Sequence, residues 1–278
     1  MTSARCADLS EAAGEPISAT ATNALNWLLV EVRGTWPRDV SDLGGFDPES
    51  QTAIATWLEQ TQSSRVLFIR RPGSTRRQRT VFVVRASEHE PLVRRLEVVA
   101  DVFNAARGGD EVPSQLVLVC GHGTRDACCA LRGSAVFGAL RETVPPDDLW
   151  LSSHQGGHRF AANVLVLPAG IQLGRVTSGD AADVVGEALQ GWIALEHYRG
   201  RVAYTAREQA AERAVRESRG LVRATDVTLV GDDGTHVTFR DRDGKELRAI
   251  PREAEGPAVP ASCGAEPEPE RHYAARVD

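Results

Sequence analysis

The chain has 278 residues, of which 42% are apolar and 25% charged, enough for two domains, or one with a large appendage, of an ordinary globular protein. A net charge of −6 leaves no electrostatic footprint for nucleic acid. No stretch approaches the roughly 18 uninterrupted apolar residues of a membrane span, and the opening MTSARCADLSEAAGEP has no apolar signal core. A cytoplasmic protein without a membrane partner is therefore expected. Its five cysteines, an odd number with two adjacent, argue for ligands or free thiols rather than a disulfide framework.

Residues 1–22 are small and polar, and Cys6 among them is expected to be a free thiol near a mobile end. Leu25 to Val32 predicts a buried strand closed by Arg33-Gly34. Pro48 to Gln62 carries Ala53, Ile54, Trp57 and Leu58 at helical spacing, with Asp47 as N-cap and Pro48 as first helical residue. Trp27 and Trp36 are assigned to packing. Two further strands, Val66–Ile69 and Val81–Val84, flank a connection holding Arg70, Arg71, Arg76, Arg77 and Arg79 with a Pro72-Gly73 turn. That connection is either a solvated hairpin tip or a docking patch for an acidic redox partner. The order strand, helix, strand, strand is compatible with a degenerate thioredoxin-like unit over residues 1–110 that has no ligands of its own. Asn104 to Ser114, with Gly108-Gly109 and Pro113, is the best linker.

A second unit, residues 111–200, begins with the apolar run Leu116 to Val119, which ends at Cys120 where a buried strand emerges into a loop. Asp126 is a candidate N-cap for a helix from Ala127 to about Arg141, which places Cys128 and Cys129 in its first turn, where helix dipole and free N–H groups favour thiolates. Leu149-Trp150-Leu151 then delivers Ser152, Ser153 and His154, and His158 follows after Gln155-Gly156-Gly157. Two glycines between histidines at i and i+4 would cost on the order of 1 kcal/mol each in a helix, so a loop is expected. Asn163–Leu167 and Ile171–Val176 read as an antiparallel hairpin, and Asp180–Leu195 as a helix. The order β-α-β-β-β-α is compatible with a thioredoxin-like ferredoxin.

Two thiolates and two imidazoles thus fall within 39 residues, Cys120 to His158, enough to close a metal site. Structural zinc usually draws its thiols from one tight turn, whereas eight residues separate Cys120 from Cys129. The gap suits a wider group such as a two-iron, two-sulfur (2Fe-2S) cluster with two thiolates exchanged for imidazoles.

The runs CGHGTRDACC and SSHQGGHRFAANVLVLPAG closely resemble the sucrase/ferredoxin-like family. GEPISATATNALNWLLVEVRGTWPRD looks like its N-terminal signature and GRVAYTAREQAAERAVR like its C-terminal helix, so the likeness covers most of residues 6–220. The resemblance implies a thioredoxin-like ferredoxin with bis-histidinyl ligation of a 2Fe-2S cluster, held by Cys120, Cys129, His154 and His158. Adjacent helical residues point about 100° apart, so Cys129 is taken as the partner of Cys120 and Cys128 as a packed neighbour or alternative ligand. His122, Ser153, Arg125 and Arg159 are the residues expected around the centre, as spare imidazole, hydrogen-bonding hydroxyl and charge-offsetting or rim cations. The expected function is one-electron transfer coupled to protons, with a redox partner protein such as a ferredoxin reductase. A structural zinc module mediating protein interaction is the alternative, and thiol chemistry at Cys128 and Cys129 a weaker third. Sucrase activity finds no support, because glycoside hydrolysis needs two carboxylates placed across a ring and no acidic pair stands out.

Residues 201–278 are expected to form an appendage. Thr205 to Arg219 reads as a helix, and Val227–Val230, His236–Phe239 and Leu247–Ile250 as short strands. The last 28 residues, rich in Pro, Glu and Ala, are expected to be mobile, with Cys263 a free thiol.

Overall fold

The computed structural model describes residues 5–43, 46–73, 78–98, 109–112 and 114–278. Helices α1 (Cys6–Ala12), α2 (Pro48–Gln60), α3 (Ala127–Leu140), α4 (Ala181–Leu189) and α5 (Ala206–Arg219) accompany fourteen strands among these residues. The strands are β1 (Asn26–Glu31), β2 (Ser64–Arg70), β3 (Arg79–Arg85), β4 (Leu92–Val98), β5 (Asp110–Glu111), β6 (Leu116–Cys120), β7 (Leu149–Ser152), β8 (Val164–Leu167), β9 (Ile171–Leu173), β10 (Tyr198–Arg201), β11 (Val227–Asp232), β12 (Val237–Asp241), β13 (Glu246–Pro260) and β14 (Pro267–Val277).

Ten strands form one sheet in the order β10-β9-β8-β6-β7-β2-β1-β3-β4-β5. The same pattern occurs twice in it. β1 is parallel to β2 and antiparallel to β3, which continues antiparallel into β4. β6 is likewise parallel to β7 and antiparallel to β8, which continues into β9. The fold is thus mixed α/β, with a helix joining each parallel pair in the thioredoxin-like manner. The two halves abut through β2 and β7, paired antiparallel at Ile69 with Ser152 and Arg70 with Leu151, so the sheet runs unbroken from one to the other.

Alternation along the strands sends side chains into two apolar layers, which is why the strand sequences are almost uninterruptedly apolar. Leu28, Val30, Phe68, Val117 and Val119 pack on one face with Ile54 and Trp57 of α2, Val136 and Leu140 of α3, and Val184 and Val185 of α4. Trp27, Leu29, Leu67, Leu116, Leu118 and Trp150 fill the other. Asp47 caps α2, its carboxylate accepting from Ser50 N at 2.8 Å. The helix expected to reach Leu195 stops at Leu189, because Gly191 takes a left-handed φ of 79°.

Three expectations change. Residues 5–22 are not loose: Cys6 and Ala7 of α1 are buried. The last 28 residues are strand rather than mobile, β13 and β14 forming a long antiparallel hairpin. That hairpin joins β11 and β12 in a four-stranded sheet covered by α5, with Tyr204, Ala211, Val215, Phe239 and Leu247 between them. Of the arginine-rich connection, Arg70 stacks on Trp36 at 4.3 Å, and Arg71 stacks on Trp150 at 4.3 Å while pairing with Asp147, so these two serve packing. Arg76, Arg77 and most of the expected linker lie outside the described residues.

Candidate metal centre

The site forms where two parallel strands end. Cys120 closes β6 directly opposite Ser152 of β7, so the loops that follow both strands emerge at the same edge of the sheet. The first loop runs to Asp126, whose carboxylate accepts from Cys128 N at 2.8 Å and starts α3. The helix then passes so close over β6 that a Cβ on Gly133 would lie 2.0 Å from the carbonyl oxygen of Cys120. Only glycine permits that approach. Gly133→Ala should therefore push α3 off β6 at a cost of about 1–3 kcal/mol, and it should separate Cys129, one turn earlier, from Cys120. Urea unfolding combined with metal retention checks this.

As a result Cys120, Cys129 and His154 converge, with one ligand atom from each within 4.8 Å of the others. Both thiols are fully buried. Cys129 donates to Cys120, which, with His154 beside it, holds the Cys120 thiol well below its ordinary value despite burial, while the Cys129 thiol is held well above. The pair therefore ionises first as a Cys120 thiolate. His158 stands one ring further on, its centroid 4.7 Å from that of His154. Burial and the neighbouring His154 push the His158 pKa down, so its imidazole is neutral with a lone pair to offer. The Nδ1 atoms of His154 and His158 are both buried without a hydrogen-bond partner.

The other predicted residues take different places. His122 is a strut: its Nδ1 accepts from His154 N at 3.0 Å and its Nε2 donates to Pro37 O at 2.8 Å. With burial lowering its pKa, this ring is neutral and both nitrogens are used. Ser153 extends the sheet, its hydroxyl accepting from Phe68 N at 2.9 Å, rather than reaching a sulfur. Ser152 accepts from Gln155, whose side chain also donates to Leu118 O at 2.8 Å. Arg159 is not a free cation at a rim, because Glu15, at 2.7 Å, and Glu270 hold it and tie β14 to the histidine loop. Arg125 is half-buried, and its charge lowers the pKa of both His122 and His158. Cys128 is turned away from Cys120, towards Cys6 and Cys263.

Two cations that the sequence did not single out stand at the centre instead. Arg199, 2% exposed, donates to Gly156 O at 2.9 Å, to Asn163 Oδ1 at 2.8 Å and to Thr20, fixing the glycine loop. Burial, with Arg159 nearby, pushes its pKa down to about 9, and the Cys120 and Cys129 sulfurs oppose that shift. Arg65 donates to His154 O at 3.0 Å, and it too feels Cys120. No local motif announces either residue, since each reaches the loop from a different strand.

The arrangement can bind a metal centre: two buried thiols, two imidazoles whose Nδ1 atoms are buried without a partner, and two fixed positive charges behind them. The chain is similar to Altered inheritance of mitochondria protein 32 of Meyerozyma guilliermondii, 30% identical over 102 residues that make up 33% of this chain and 36% of that protein. The protein of the same name from Debaryomyces hansenii is 32% identical over 102 residues, 33% of this chain and 37% of its own length. That from Saccharomyces cerevisiae is 46% identical over 50 residues, 17% of this chain and 16% of its own. The chain thus matches little more than a third of the first two relatives. No solved structure gives a significant match. The family model for sucrase/ferredoxin-like proteins matches residues 17–200 of the 278, and the chain belongs to that family.

Proposed function

We propose that the chain is a one-electron carrier whose 2Fe-2S cluster is held by Cys120, Cys129, His154 and His158. The observation that carries this reading is the meeting of Cys120, Cys129 and His154 within 4.8 Å, beside a second imidazole at 4.7 Å. The unpartnered, buried Nδ1 atoms suit it, because a buried polar nitrogen without a partner is costly unless something binds it. When bound, such a cluster supplies a one-electron couple, and neutral imidazoles in place of two thiolates raise its potential from roughly −400 mV towards −150 to +300 mV.

The chain's own residues set the rest. Arg199 and Arg65 hold positive charge behind the sulfurs and so favour the reduced, more negative state. His154, half-buried where His158 is buried, is the more accessible ligand to a partner such as a ferredoxin reductase. Each ligating imidazole keeps a second nitrogen able to release a proton, more readily in the oxidised state. Raising the pH therefore favours oxidation, and the midpoint potential should fall by up to about 59 mV per pH unit for each proton released. Redox titration of the full chain across the neutral and alkaline range checks this, and a pH-independent potential would count against histidine ligation. All five cysteines are free, as suits a reducing compartment such as the cytosol.

A further inference from the structure

Behind the candidate centre three sulfurs meet that are remote in sequence. Cys6 comes from α1, Cys128 from the first turn of α3, and Cys263 from the turn between β13 and β14. Their Sγ atoms lie 3.6 Å apart for Cys6 and Cys128, 3.4 Å for Cys128 and Cys263, and 3.7 Å for Cys263 and Cys6. The Asp126 carboxylate closes the group, with Oδ1 at 3.4 Å from Cys263 Sγ and 3.8 Å from Cys6 Sγ. None of these sulfurs is in a disulfide.

We propose that Cys6, Cys128, Cys263 and Asp126 form a second metal site, a tetrahedral S3O site for zinc. With zinc–sulfur bonds of about 2.3 Å, the edge of a tetrahedron is about 3.8 Å. The three observed sulfur separations come within a few tenths of an ångström of that edge on every side. The site is braced from outside. Asp126 is aimed by the amides of Cys128 and Cys263, each donating to a different carboxylate oxygen at 2.8 Å. Ala7 and Ala161 pack with Cys6 and Cys128 in the same buried cluster. On binding, the three thiols give up their protons to solvent, so the filled site carries a net charge of −2 with the carboxylate already ionised.

Such a site would clip both ends of the chain onto the helix that carries Cys129. It would also hold the β13–β14 turn over the histidine loop, where the Ala261 carbonyl meets the His158 ring. The proposal does not depend on the iron reading, since the two donor sets share no residue.

Metal analysis of the full chain, expressed with both iron and zinc and purified without oxygen, tests it. About one zinc ion per chain that survives a chelator wash is expected. In Cys6→Ser and Cys263→Ser zinc should fall to trace while the visible absorption of the iron centre stays. His154→Ala should do the reverse. Cobalt substitution of the wild-type chain should give the intense red-region bands of tetrahedral cobalt thiolate, lost in Cys263→Ser, which decides the matter should a variant fail to fold. Zinc that is absent from the wild type, with no cobalt bands, would overturn the proposal. So would zinc unchanged in Cys263→Ser.

Discussion

Cys129→Ala is expected to yield a folded protein with iron reduced from about two atoms per chain to trace, whereas Cys128→Ala should keep its iron and its visible absorption. The two residues are neighbours in sequence and equally buried, so composition and accessibility cannot separate them. Direction does. Cys129 faces Cys120 and His154, while Cys128 faces Cys6 and Cys263. Iron analysis and absorption after anaerobic reconstitution check this, and equal loss in both variants would mean that the first turn of α3 acts as a single unit. The same divergence argues against thiol chemistry using the two as a pair, since each is engaged with different sulfurs.

The largest loss of stability should come from a residue outside the candidate metal centre. Glu212, fully buried in α5, accepts from Tyr198 Oη at 2.8 Å, from Arg216 at 2.8 Å and 3.0 Å, and from Arg201 at 3.3 Å. Glu212→Ala removes the carboxylate that the buried Arg201 and Arg216 share; Arg201 keeps Glu88 at 3.4 Å, whereas Arg216 is left with no acidic partner among the described residues. Stranding a buried charge in this way costs about 3–5 kcal/mol, a large part of a typical domain's stability. In contrast, breaking the exposed pair Arg240–Glu246, with both side chains about half exposed, should cost less than about 1 kcal/mol. Urea unfolding of both variants against the wild type measures the difference. Equal midpoints for the two variants would show that the α5 network carries no special weight.

Much of this architecture was legible because its signals are local. Asp47-Pro48 and Asp126 mark helix starts through their own side chains, and Thr205 with Glu208 forms a capping box at α5. The apolar run ending at Cys120 and the glycines between the histidines likewise placed the ligand loops. Longer-range features were hidden for physical reasons. α1 has only seven residues and no side-chain cap, so its helix rests on the burial of Cys6 and Ala7 against α3 and not on its own propensity. The C-terminal prolines suggested a mobile tail. Pro267 and Pro269 instead occupy β14, an edge strand where a missing N–H is tolerated. Pro257 lies in the irregularity between Glu255 and Ala258. Arg199, Arg65 and the meeting of Cys6 with Cys263 depend on contacts between segments more than 40 residues apart, with no shared motif to reveal them.

The central claim, that two sulfurs and two imidazole nitrogens share one pair of irons, is tested most directly by pulsed electron paramagnetic resonance of the reduced, reconstituted full chain with nitrogen-15 in its histidines. Hyperfine couplings from two distinct imidazole nitrogens are expected in the wild-type chain, and the whole signal should vanish with the iron in His154→Ala. A paramagnetic centre without histidine nitrogen couplings, or a reconstituted protein that stays colourless, would contradict it.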